Sequence, residues 1–165
     1  MKSTLTLSSA TQSASLAIGS VFASLVNRSL TEIYLEGSLV VMAIRRSSNA
    51  LREASLEEIG QHISTMDKAA LRGFGSNVKG IYHELLYVAN ENSDGDDISA
   101  QIFEMTNYPG ADVQILENGN LLSEVQLKAV SDPSSIQRHF ERYPDIPVIA
   151  TDEVSHTPER WWHVV

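Results

Sequence analysis

Polar and apolar residues alternate along residues 124–128, a short segment in the C-terminal half of the chain. Because successive side chains of a β-strand point to opposite faces, Glu124, Gln126 and Lys128 would form a polar row on one face. The two apolar residues between them would point into a core. Oxygen ligands clustered beside a lysine are what metal-assisted cleavage of a phosphodiester bond requires. We therefore interpret this row as part of a nuclease site, although any half-exposed strand also alternates in this way.

The turn before this strand decides which residue lies opposite the polar row. Asn118-Gly119 predicts a two-residue hairpin turn, in which the numbers of paired residues sum to 237 and Asp112 faces Val125, on the wrong side of the sheet. A three-residue loop or a β-bulge gives a sum of 238 and places Asp112 opposite Gln126. The nuclease interpretation therefore predicts the longer loop or a bulge.

Composition and charge set broader bounds on function. The chain has 165 residues, no cysteine and a net charge of −9, which excludes disulfides, zinc–thiolate sites and thiol catalysis. Residues 1–80 carry eight lysines and arginines against six acids, whereas residues 81–165 carry four against fifteen. A carboxylate-rich half and a slightly basic half fit an enzyme that holds metal with one part and phosphate with the other. No apolar stretch reaches membrane-spanning length, so we expect a cytoplasmic protein without a membrane partner.

The first half of the chain is predicted to be helical. Ile18, Phe22 and Leu25 follow helical spacing, and a second helix is predicted from about residue 30 to 46. Ser55-Leu56-Glu57-Glu58 forms a capping-box pattern that opens a third helix ending near residue 66. The glycines of residues 71–76 predict a break, followed by a helix over residues 78–90.

The second half changes to strand periodicity after an acidic loop. Strands are predicted over residues 101–106, 112–116, 121–130 and 148–150. A helix over residues 133–143, capped by Asp132, separates the last two strands. Near the C-terminus Thr157-Pro158 predicts a short turn, and Trp161 and Trp162 are expected to close a core or an interface.

This order of elements, with an aspartate on the second strand and Gln126-Leu127-Lys128 on the third, resembles the PD-(D/E)XK nuclease superfamily. Glutamine in place of the usual acid is similar to the Mrr branch. The resemblance covers residues 77–151 and implies an α/β (α+β) fold with a restriction-endonuclease-like α-β-β-β-α-β core. The implied division is a helical N-terminal region, residues 1–75, which resembles no family, and a nuclease-like domain, residues 76–165.

The resemblance also implies roles for individual residues. Asp112 would be the principal ligand of Mg²⁺ or Mn²⁺, with the Gln126 amide oxygen and the Leu127 carbonyl as further ligands. Lys128 would orient the attacking water and stabilise developing charge. On the preceding helix, Glu84 corresponds to a glutamate that holds a metal-bound water. Because Gln126 brings no negative charge, metal affinity should be lower, and Glu124 is expected to supply the missing carboxylate as catalytic residue and ligand.

These residues predict a magnesium-dependent endonuclease, a hydrolase of phosphodiester bonds with DNA as the expected substrate. The N-terminal helices, with their small residues between apolar ones, are expected to form a homodimer or bind a protein partner. The alternative is a catalytically inactive nuclease-like fold that serves as a protein-interaction or inhibitor module. The acidic C-terminal half and Gln126 favour that alternative.

Overall fold

The computed structural model describes residues 7–29, 35–105, 108–128, 134–150 and 162–163. Within these ranges the α-helices are α1 (Leu7–Val26), α2 (Leu35–Arg46), α3 (Leu56–Ser64), α4 (Lys68–Glu91) and α5 (Ser134–Arg142). The strands are β1 (Ile98–Ile102), β2 (Val113–Glu117), β3 (Asn120–Lys128), β4 (Val148–Ala150) and β5 (Trp162–His163). The protein is therefore a mixed α+β protein. No helix of the described ranges is both long enough and apolar enough to cross a membrane.

The chain divides into two compact units, residues 12–82 and residues 83–165 together with residues 1–11. In the first unit, α1 buries the stripe Ala14, Ile18, Val21 and Leu25 on one side. Gly60 of α3 approaches this helix so closely that a β-carbon would lie 2.4 Å from a backbone oxygen of α1.

Two local predictions for the first unit, residues 12–82, which we call the helical unit, have opposite outcomes. The capping box of α3 is confirmed, because the Ser55 hydroxyl accepts from the Glu58 amide and the Glu58 carboxylate accepts from the Ser55 amide. The predicted break over residues 71–76 is wrong, since α4 runs unbroken through Gly73 and Gly75. Each glycine costs a helix about 1 kcal/mol, which burial of an apolar stripe further along α4 outweighs. The predicted division after residue 75 stays a prediction, and it falls inside α4.

The five strands lie in the order β1-β2-β3-β4-β5. Strands β1, β2 and β3 pair antiparallel, whereas β4 is parallel to both β3 and β5. One sheet face buries Ala100, Val113, Ile115 and Val125 against Tyr87 and Val88 of α4. At β4 the opposite face buries Val148 and Ala150 against Ile136 and Phe140 of α5. Helices thus cover both faces of this sheet.

From α4 to β4, the observed order of helix, three strands, helix and strand is the predicted one. The strand β5 that follows was not predicted, because Trp162 was expected in a short turn. The predicted limits of the first strand are wrong, because β1 spans Ile98–Ile102 rather than residues 101–106. In this earlier position Ala100 pairs with Ile115 on the core face. Several predictions lie outside the described residues: the start of the second helix, the end of the third strand, the Asp132 cap, Thr157-Pro158 and Trp161.

Candidate active site

A β-bulge sets the register of the candidate site. The β2–β3 hairpin closes through a two-residue turn, Asn118-Gly119, with both residues at positive φ. Next to the turn Leu116 pairs with Leu121, but the register then shifts, so that Ile115 pairs with Ser123 and Val113 with Val125. These later pairs sum to 238. The bulge that the nuclease interpretation requires is therefore present.

The shifted register places the Asp112 carboxylate next to Gln126 and Leu127, the first two residues of the Gln126-Leu127-Lys128 segment. Its Oδ2 atom accepts hydrogen bonds from the Gln126 side-chain amide and from the Leu127 backbone N–H at 2.9 Å. The Asp112 backbone N–H donates to the Val125 carbonyl at 2.9 Å. Gln126 is held from its other side by a hydrogen bond from its backbone N–H to the Pro147 carbonyl, also 2.9 Å. The aspartate and glutamine thus form a hydrogen-bonded pair across β2 and β3.

Electrostatics at this pair are governed by the burial of one carboxylate. Burial raises the pKa of Asp112, whereas the Leu127 N–H and the neighbouring Lys128 and His139 side chains lower it by less. Lys128 lies two residues beyond Gln126 and pairs with Ala150 of β4. The structure therefore brings together four of the predicted site residues, Asp112, Gln126, Leu127 and Lys128.

His139 of α5 also belongs to this environment, although it was not among the predicted site residues. The residue is 7% exposed, its Nε2 lies 3.0 Å from the Ile146 carbonyl oxygen, and its ring contacts Tyr143. A signal was present in the sequence, because His139 follows Ile136 by one helical turn and therefore shares the apolar face of α5. That α5 faces the aspartate could not be read from this spacing.

A glycine fixes the loop that leads to the aspartate. Gly110 has a φ of +84°, and a β-carbon there would lie 2.8 Å from the side chains of both Tyr143 and Ile146. Only glycine combines this backbone conformation with so close an approach. The loop before Asp112 is therefore anchored against the segment that follows α5.

The two predicted glutamates lie apart from the pair. Glu124 is on the same sheet face, but its Oε1 accepts from Gln114 at 3.3 Å, two residues closer to the turn along each strand. Glu84 is on α4, one turn before Tyr87 and Val88, which pack against the opposite sheet face. Glu84 thus lies on the side of α4 that packs against one face of the sheet, whereas Asp112 lies on the other face.

The fit of a metal ion depends on the oxygen atoms at the pair. Among the described residues, no group of three or more histidines or acids is arranged to hold a metal. Oxygen donors at the site are the Asp112 carboxylate, the Leu127 carbonyl and the Gln126 amide oxygen, which needs a rotation of the amide to replace its nitrogen. Magnesium takes few protein ligands and keeps several waters. The residues present therefore fit a magnesium ion held by one charged and two neutral ligands.

No protein-family model, curated protein or solved structure matches this chain. Any function must therefore be argued from the geometry of the site.

Proposed function

We propose that this chain is a metal-dependent nuclease of the restriction-endonuclease-like fold, with DNA as its substrate. The observation that carries the proposal is the β-bulge in β3, which places Asp112 beside Gln126 and aligns both with Lys128. The order of α4, three strands, α5 and β4 supports it. A merely solvated strand face would not need a register shift to bring a half-buried carboxylate onto this row.

In this proposal the Asp112 carboxylate, the Leu127 carbonyl and the Gln126 amide oxygen hold Mg²⁺ or Mn²⁺. A bound ion supplies Lewis acidity toward the phosphoryl oxygen and lowers the pKa of a bound water. Lys128 places a positive charge beside Asp112, where it stabilises the negative charge that develops on the phosphoryl group. The Leu127 N–H holds the carboxylate in position before any substrate arrives.

Cleavage assays test the proposal directly. Supercoiled plasmid and labelled single strands are incubated with Mg²⁺, Mn²⁺ or EDTA and with wild type, Asp112→Ala or Lys128→Ala. Gln101→Ala is a matched control, because Gln101 is an exposed polar residue of β1 in the same sheet. We expect metal-dependent cleavage that falls about 10²–10³-fold in both site variants and stays unchanged in the control. Absence of cleavage in every metal, or cleavage that survives both substitutions, would refute the proposal.

A second function is favoured by one specific observation. The Asp112 carboxylate already accepts two protein N–H groups, so the pair is complete without a metal. This arrangement suits a catalytically inactive nuclease-like fold that acts as a protein-interaction or inhibitor module, with a homodimer or protein partner bound through the N-terminal helices. Calorimetric titration with Mg²⁺ separates the two functions, because the inactive module binds no ion and the nuclease does.

A further inference from the structure

Two aromatic rings stack in the loop between β1 and β2. The Phe103 and Tyr108 ring centroids are 3.9 Å apart, and the ring planes differ by only 6°. Tyr108 keeps 39% of its surface exposed, and Met105 of the same loop keeps 65%. Tyr108 therefore stacks on a second ring while part of its own surface stays in solvent.

This stack is held close to the candidate active site. Tyr108 precedes Asp112 by four residues, so their Cα atoms lie within about 14 Å of each other, roughly four nucleotides of a stacked strand. Between them, Gly110 is buried and anchored against Tyr143 and Ile146. The stack and the carboxylate are therefore joined by a short connection with a fixed point in its middle.

The charge of this half of the chain limits how nucleic acid could bind. Residues 81–165 carry four lysines and arginines against fifteen acids, so contacts to phosphates cannot dominate the affinity. Stacking of bases on aromatic rings contributes affinity without positive charge and tolerates any base sequence. A base-paired duplex keeps its base faces inside the helix, whereas an unpaired strand exposes them.

From these observations we infer that the Phe103–Tyr108 stack is a base-stacking platform for single-stranded or locally unpaired nucleic acid. The inference rests on the proposed nuclease function and narrows its substrate class. A base placed on the exposed side of Tyr108 continues the ring stack, and the strand beyond it extends toward Asp112 and Lys128. An intact duplex lacks such a base and gains nothing from the platform.

Binding assays on the full chain separate this role from a merely structural one. The probes are a fluorescein-labelled oligothymidine of about 15 nucleotides and a duplex of the same length, in Ca²⁺ to suppress cleavage. We expect Tyr108→Ala to weaken single-strand binding about tenfold and Tyr108→Trp to preserve or strengthen it. Duplex binding should be unchanged. Leu121→Ala is the control, because Leu121 is an exposed apolar residue (57%) of β3 in the same sheet.

A second readout needs no substitution. An oligonucleotide that carries 2-aminopurine should lose fluorescence on binding wild type, because stacking on Tyr108 quenches the base, and Tyr108→Ala should restore it. Equal single-strand affinity in wild type and Tyr108→Ala, or binding without quenching, would overturn the platform.

The outcomes also distinguish the platform from the nuclease. Cleavage by wild type combined with an unaffected Tyr108→Ala variant refutes the platform alone. Binding that depends on Tyr108 without any cleavage refutes the nuclease and supports the platform. A wild-type protein that binds neither probe refutes both.

Discussion

Replacing Asp112 by asparagine should stabilise the metal-free protein at neutral pH. Burial raises the pKa of this carboxyl group, and the Leu127 N–H and Lys128 offset the effect only in part. Asparagine has the same shape without the charge, and it keeps an acceptor for the Leu127 N–H. Both hydrogen bonds end on Oδ2 of the aspartate, so an asparagine oxygen in that position also accepts from the Gln126 amide. The substitution therefore removes the cost of burying a charge while the hydrogen bonds remain.

The sign of the pH dependence follows from the direction of the pKa shift. Because the folded-state pKa of Asp112 is raised, the unfolded chain loses this proton first, near pH 4. The contribution of Asp112 to wild-type stability is therefore highest below pH 4, falls as the pH rises to the folded-state pKa, and is constant above it. One proton changes the unfolding free energy by at most about 1.4 kcal/mol per pH unit. In a chain of this length 1 kcal/mol corresponds to about 2–4 °C in Tm.

Thermal unfolding of wild type and Asp112→Asn in EDTA, from pH 4 to pH 7, measures this difference. The two Tm values should be close at pH 4, and by pH 7 the variant should have the higher Tm, by about 2–4 °C for each kcal/mol that burial of the charge costs. Glu117→Gln, on the exposed end of β2, is the control and should show no such trend. An asparagine variant that is less stable than wild type at pH 7 would refute the reasoning, since its hydrogen bonds would then outweigh burial. Adding Mg²⁺ should raise the Tm of wild type only.

Three further substitutions test the site, the helical unit and the sheet edge. Gln126→Glu adds a second carboxylate to the pair, so it should lower the Tm in EDTA and strengthen Mg²⁺ binding in calorimetry; an unchanged Tm would contradict the pairing. Gly60→Ala forces a β-carbon to within 2.4 Å of a backbone oxygen and should cost about 1–3 kcal/mol in urea unfolding, whereas Gly80→Ala, with nothing within 4 Å, should stabilise by up to about 1 kcal/mol. Asn92→Ala removes two hydrogen bonds to the outer edge of β1, of 2.7 and 3.0 Å, so it should cost about 1–3 kcal/mol and increase self-association in light scattering, unlike the exposed control Asn90→Ala.

The part of the fold that could be predicted depends on local patterns. The residue pattern predicts two strands, residues 112–116 and 121–130, and the turn residues Asn118-Gly119 predict how they join. The capping box at Ser55 likewise contains its own hydrogen-bond partner three residues away. In each case the residues that determine the element lie within it or beside it.

The errors occur where distant contacts decide. Gly73 and Gly75 locally favour a break, but a helix continues through them because its later turns are buried. The first strand was predicted too far toward the C-terminus, because Phe103 lies in a strand-like sequence pattern but stacks on Tyr108 in a loop. Differences in secondary-structure propensity are about 1 kcal/mol per residue, which is smaller than the free energy of the packing that opposes them.

The sequence predicted the residues of the candidate site but left two possible registers for the β2–β3 hairpin. Asp112 could face Val125 or Gln126, and only a register shift at the exposed Leu122 selects the second arrangement. No side chain near the turn demands that bulge. The sequence could not predict His139 as a site residue for a similar reason, because its place near Asp112 depends on how α5 packs on the sheet.

The identity of residue 126 connects the two candidate functions. A glutamate there would set two carboxylates against each other in the metal-free protein, and an ion would be needed to relieve their repulsion. Glutamine instead donates to Asp112, so the folded state needs no ion, and a metal must first displace this hydrogen bond. The same amide can offer its oxygen to a cation after a single rotation. We therefore expect a site that is stable when empty and binds magnesium more weakly than a site with two carboxylates would.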